Sequence, residues 1–84
     1  MKLYFKDSYG RRRLIDKPKT YNEADKMIYD FCKARDFRIY YIRNWIENGE
    51  LVYDVGSHTE FFYLANDDGA PIADDTELLK FEIF

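Results

Sequence analysis

Histidine and cysteine occur once each in the 84 residues, as His58 and Cys32. A zinc site of the usual ligand count is therefore not expected. One thiol cannot close an internal disulfide, which fits a reducing cytosol. No glycine-rich loop of the phosphate-cradling kind occurs, and no cofactor is expected. No apolar run approaches the roughly 18 residues of a spanning helix. The N-terminus lacks the apolar stretch of a signal peptide, so a cytoplasmic location without membrane contact is expected. Proline (two) and glycine (four) are scarce, leaving few breaks in regular structure. Basic residues nearly vanish from the second half: residues 47–84 hold Lys80 alone against ten acidic side chains, a net −9.

What is abundant is apolar and aromatic. Of the residues, 46% are hydrophobic and 19% aromatic, with eight Tyr, seven Phe and one Trp. That is too rich for general disorder. The length suits one domain over 1–84, with a core over 1–72 and an acidic C-terminal segment over 73–84. In that segment "DDTE" suits a short helix and "LLKFEIF" a late strand, and the two readings stay open. Charge is lopsided. Residues 1–19 hold seven basic against two acidic side chains, a net +5, against −3 for the whole chain. The plain reading is the chance asymmetry of a short domain. The functional one is two faces of opposite sign, or an acidic half that engages a basic partner.

Alternation over Met1–Lys6 predicts a strand, "DSYG" (Asp7–Gly10) a turn, and Arg11–Ile15 the return strand of a hairpin. "TYNE" is a capping box opening a helix over Thr20–Arg35. Tyr21, Ala24, Ile28 and Phe31 follow at helical spacing, flanked by Met27 and Cys32. Phe37–Ile46 reads as a strand, and Asn48-Gly49 in "ENGE" predicts a two-residue hairpin loop. That loop sets Arg43 opposite Asp54 and Ile42 opposite Val55. One face then carries Tyr40, Ile42, Ile46, Leu51, Tyr53 and Val55, and Ala24, Ile28 and Phe31 are expected to bury against it. The other face carries Ile39, Tyr41, Arg43, Trp45, Val52 and Asp54. A tight turn at Gly56–His58 and a central strand over Thr59–Ala65 complete the pattern. The fold class is α+β, an antiparallel sheet in β-β-α-β-β-β order with one helix packed on one face.

Catalytic residues are not identified, and no enzymatic activity is expected. Cys32 lies mid-helix beside Phe31, where a buried, inert thiol is the natural reading. Ser57 and His58 are sequence neighbours whose side chains diverge in extended chain, so His58 is read as a turn residue. Asp67, Asp68, Asp74 and Asp75 form two acidic pairs that suit solvated loops better than acid–base work.

Two binding surfaces are candidates. Tyr41, Arg43 and Trp45, with Asp67, Asp68, Asp74 and Asp75, form the candidate protein-binding set. Self-association through the face of Tyr41, Trp45 and Val52 is expected to be possible. Alternatively, Lys2, Arg11 and Arg13 beside Tyr4 and Tyr9 suit phosphate contact and base stacking, giving a nucleic-acid or nucleotide binder. The plain reading of "RRR" is a charged edge strand that discourages strand addition.

"KLYFKDSYGRRRLI", "ARDFRIYYIRNW" and "YDVGSHTEFFYL" together resemble small uncharacterised proteins of bacteriophages and prophages of Gram-positive bacteria, over about residues 1–65. The resemblance carries no activity with it. It implies a protein made in the cytoplasm of an infected or lysogenic host. By analogy with such proteins, binding and modulation of a host or phage protein is expected, with defence and DNA-binding proteins among the candidates.

Overall fold

The computed structural model describes residues 1–57 and 59–72. Within these residues five strands and one helix follow in the order β1 (Lys2–Lys6), β2 (Arg12–Asp16), α1 (Tyr21–Ala34), β3 (Arg43–Glu47), β4 (Glu50–Asp54) and β5 (Phe61–Ala65). All pairings are antiparallel, and the sheet order is β2-β1-β5-β4-β3. Each hairpin is a sequence neighbour pair, and β5 sits between them as the central strand. Its alternation explains the place: Phe62 and Leu64 are fully buried on one face, while Phe61 and Tyr63 need cover on the other.

The helix lies on one face, as expected. Thr20 caps it, its Oγ1 accepting from the Glu23 N–H at 3.1 Å. The Thr20 hydroxyl donates to the Glu23 carboxylate at 3.4 Å, so Glu23 meets the cap at its hydroxyl and not at the backbone N–H that a full reciprocal box uses. Ala24, Ile28 and Cys32 meet Leu3, Leu51, Tyr53, Val55, Phe62, Leu64 and Ile72 in one core. Phe31 is only half-buried. Its ring partners are Phe5 at 4.8 Å and Phe62 at 5.5 Å, on β1 and β5, and not the expected β3–β4 set.

The Asn48-Gly49 hairpin stands with the expected register. Arg43 faces Asp54, Trp45 faces Val52, and Glu47 faces Glu50. Asn48 and Gly49 both have positive φ, 53° and 77°, as a type I′ turn demands.

Three expectations are corrected. The strand expected over Phe37–Ile46 begins only at Arg43. The helix ends in a Schellman motif: the Phe37 N–H donates to Cys32 O at 2.8 Å and the Asp36 N–H to Lys33 O at 3.2 Å, with Asp36 at φ 54°. That cap turns the chain, and the 37–42 segment then meets the residue just past β4, with Tyr40 N–H donating to Val55 O at 3.1 Å. The strict alternation lapses, so Ile39 packs on the core while Tyr40 is exposed. Ile42 and Val55 both reach the core, but the ladder stops short of pairing them. The turn expected at Gly56–His58 is wider, because β5 starts at Phe61 rather than Thr59. Ser57 shapes it: its Oγ donates to the Glu60 carboxylate at 2.8 Å and accepts the Glu60 N–H at 3.2 Å. Finally, Val52 is 2% exposed and offers no surface for self-association.

Candidate functional site

Of the expected partner-binding residues, the structure joins Tyr41, Arg43 and Trp45 along the β3 edge. Arg43 Nη2 donates to Asp54 Oδ2 at 2.7 Å and lies 3.4 Å from the Tyr41 hydroxyl, with its guanidinium 4.9 Å from the Tyr41 ring. Asp54 is 4% exposed, and its second oxygen accepts the Gly56 N–H at 2.9 Å. A buried carboxylate thus ties β3 to the bend after β4. Trp45 donates its indole N–H to Glu47 at 3.0 Å and meets Phe61 edge-on at 6.5 Å.

Asp67 and Asp68 do not join this set. Asp67 lies 3.4 Å from the terminal ammonium of Met1, and Asp68 accepts the Ala70 N–H at 3.0 Å, so both shape the loop after β5. That loop reaches the opposite end of β4, where the Ile72 N–H donates to Gly49 O at 2.9 Å. Asp74, Asp75 and His58 lie outside the described residues.

Beside Tyr41 a groove of about 670 Å³ opens between the 36–41 segment and the Gly56-Ser57 bend. It is lined by Asp36, Phe37, Arg38, Tyr40, Tyr41, Gly56 and Ser57. Tyr40 is 66% and Tyr41 44% exposed. Arg38 lies 5.0 Å over the Tyr40 ring, as Arg43 does over Tyr41. Tyrosines with arginines on their faces present large, stiff contact area that is already partly ordered. The stretch "RIYYIR" signalled these residues. Their exposure was hidden by reading it as a regular strand.

The nucleic-acid set is dispersed. Lys2 faces Ala65 across β1 and β5, while Lys6 faces Arg12. Lys2 is four residues from Lys6, roughly 13 Å along the strand. Arg11 is exposed near Asp7 at 3.8 Å and lies 5.5 Å over the Tyr9 ring. Arg13 is exposed opposite Phe5.

Arg12 is the side chain that sequence reasoning passed over. Directly opposed residues cross all five strands on the face away from the helix: Leu14, Tyr4, Tyr63, Val52 and Trp45. Arg12 lies over this row, its guanidinium 4.0 Å from the Tyr4 ring and 5.0 Å from the Tyr63 ring. It ends in a two-pronged pair with Glu50, Nη1 donating to Oε1 at 2.8 Å and Nη2 to Oε2. The bonds to Glu50 raise the guanidinium's pKa further. Alternation placed Arg12 opposite in direction to Arg11 and Arg13. Its partners required the β1–β5 pairing, which no local signal carries.

Cys32 is buried, and burial pushes its thiol up to about 11, far from a thiolate at neutral pH. Among the described residues no three His, Cys, Asp or Glu side chains gather as a metal-binding group, and no helix is long and apolar enough to cross a membrane. Comparison with protein-family models, curated proteins and solved structures gives no match, so any functional reading rests on these residues alone.

Proposed function

We propose that the chain is a small, non-enzymatic phage or prophage accessory protein that acts in the host cytoplasm by binding a host or phage protein. The observation that carries this reading is the groove bearing Tyr40 and Tyr41, both exposed and both covered on one ring face by an arginine. Tyrosine and arginine are, with tryptophan, the residues enriched among interface side chains that dominate binding energy. A defence or DNA-binding protein is a suitable partner, because the acidic second half can compete for a basic groove.

The test is capture from host extract, with and without phage infection, treated with nuclease in parallel. A protein retained by the wild type after nuclease, and lost with Tyr40→Ser/Tyr41→Ser while the fold persists, supports the reading. Equal capture by both chains sinks it.

A second reading has one observation of its own. Tyr9 is 82% exposed at the β1–β2 tip, with Arg11 stacked on it. That pair suits base stacking on single strands. Its signature is binding to an oligonucleotide that falls steeply with salt and is lost in Arg11→Ala.

A further inference from the structure

The Arg12 guanidinium is held as a bound ligand is held. Tyr4 and Tyr63 are directly opposed on β1 and β5, and their rings lie 4.0 and 5.0 Å from its central carbon. Glu50 on β4 takes both terminal nitrogens. Two π-faces and a carboxylate set for fork-to-fork pairing are what a guanidinium receptor requires. All three come from the interior of the sheet. The occupant comes from β2, which among the described residues is an edge strand, with no buried residue and an irregularity in its pairing at Leu3/Tyr4.

The local charge also decides what fits. Residues 47–72 carry six acidic side chains and no Lys or Arg. Lys2 and Lys6 flank Tyr4 on the same strand face, so a second cation is disfavoured while Arg12 stays. Replacement is allowed where addition is not. An ammonium is a poor substitute, since it lacks the planar fork that spans both Glu50 oxygens while resting against the rings.

We propose that Tyr4, Tyr63 and Glu50 form a site for an arginine side chain of a basic partner segment, and that Arg12 fills this site in cis until that arginine displaces it. The exchange of one guanidinium for another is nearly balanced. Affinity therefore comes from the rest of the partner's segment, and Arg12 sets the threshold it must exceed. This surface is separate from the Tyr40–Tyr41 groove and does not depend on it.

The experiment titrates hexa-arginine and hexalysine peptides into the full chain by calorimetry. Arg12→Ala should bind hexa-arginine about tenfold more tightly than the wild type, with a much smaller gain for hexalysine. Adding Glu50→Gln or Tyr63→Leu to that variant should cancel the gain, and Tyr40→Ser should not. No gain, an equal gain for both peptides, or a gain that survives Glu50→Gln overturns the proposal. If Arg12→Ala fails to fold, Arg12→Lys keeps the stem over Tyr4 and should show a smaller gain in the same order. In the wild type, the Arg12 side-chain N–H signal should move to the position of free arginine as hexa-arginine saturates. A signal that stays put also overturns it. Binding of a single-stranded oligothymidylate that is lost in Arg12→Ala would make Arg12 a phosphate contact, and would overturn it too.

Discussion

A methyl group on residue 56 would sit 2.7 Å from the Tyr40 Cβ, and the backbone there has φ +95°. Both facts oppose a side chain there. Gly56→Val is expected to cost more than about 2 kcal/mol, from backbone strain and the clash together, measured by chemical denaturation. It should also disturb the groove, because Tyr40 must move. Asp25 makes a different prediction. Its carboxylate accepts from the Tyr53 hydroxyl at 3.4 Å, yet burial pushes its pKa up to about 6 from 3.8. The folded state therefore holds this proton more tightly than the unfolded one. The stability this group contributes is complete below about pH 4 and is lost as pH rises through about 6. Asp25→Asn keeps an acceptor for Tyr53 and removes the charge. It should raise stability by about 1 kcal/mol at pH 7, after allowance for the solvent that still reaches the group, with no gain near pH 4. A gain independent of pH would show that desolvation is not the cause.

At the level of elements, the local signals performed as local signals do. The Thr20 cap, the Asn-Gly turn and the helical spacing each involve residues within a few positions of one another, and each forms. Phe37–Ile46 failed because its composition favours a strand while the preceding cap dictates direction. Asp36 in the left-handed region fits a Schellman motif usually closed by glycine, and nothing in "KARDF" advertises it. The test is Asp36→Gly, which should stabilise the chain by up to about 1 kcal/mol by relieving the left-handed strain. A loss instead would mean that the carboxylate has a role in the groove it lines.

For the whole molecule, the decisive contacts join distant residues. The two hairpins were legible, but the order β2-β1-β5-β4-β3 places residues 2–6 against 61–65, and no short-range pattern specifies that. The candidate site suffered for the same reason. Tyr41 and Arg43 are near neighbours and were found; Arg12 and Glu50 are 38 positions apart and were not. Hydrogen exchange should read this architecture directly. Amides of β5 and β4 should exchange slowest, near the limit of global unfolding, while β2 and residues 38–42 exchange early. Equal protection of β2 and β5 would contradict the central place of β5.

The position of β5 also governs how the chain acquires its structure during synthesis. Until residues 61–65 have been made, the first hairpin and the second are separate two-stranded ribbons, each marginal in water on its own. The helix, made between them, has only half a surface to cover. Before then the halves are bridged only by side chains, the helix packing on Leu3 of β1 and on Leu51 and Tyr53 of β4, and Arg12 reaching Glu50. Folding is thus a late and nearly single event, with long-range closure as its slow step. A chain interrupted before Phe61 would lack the strand that hydrogen-bonds both hairpins, leaving the inner edges of β1 and β4 unpaired and open to other chains.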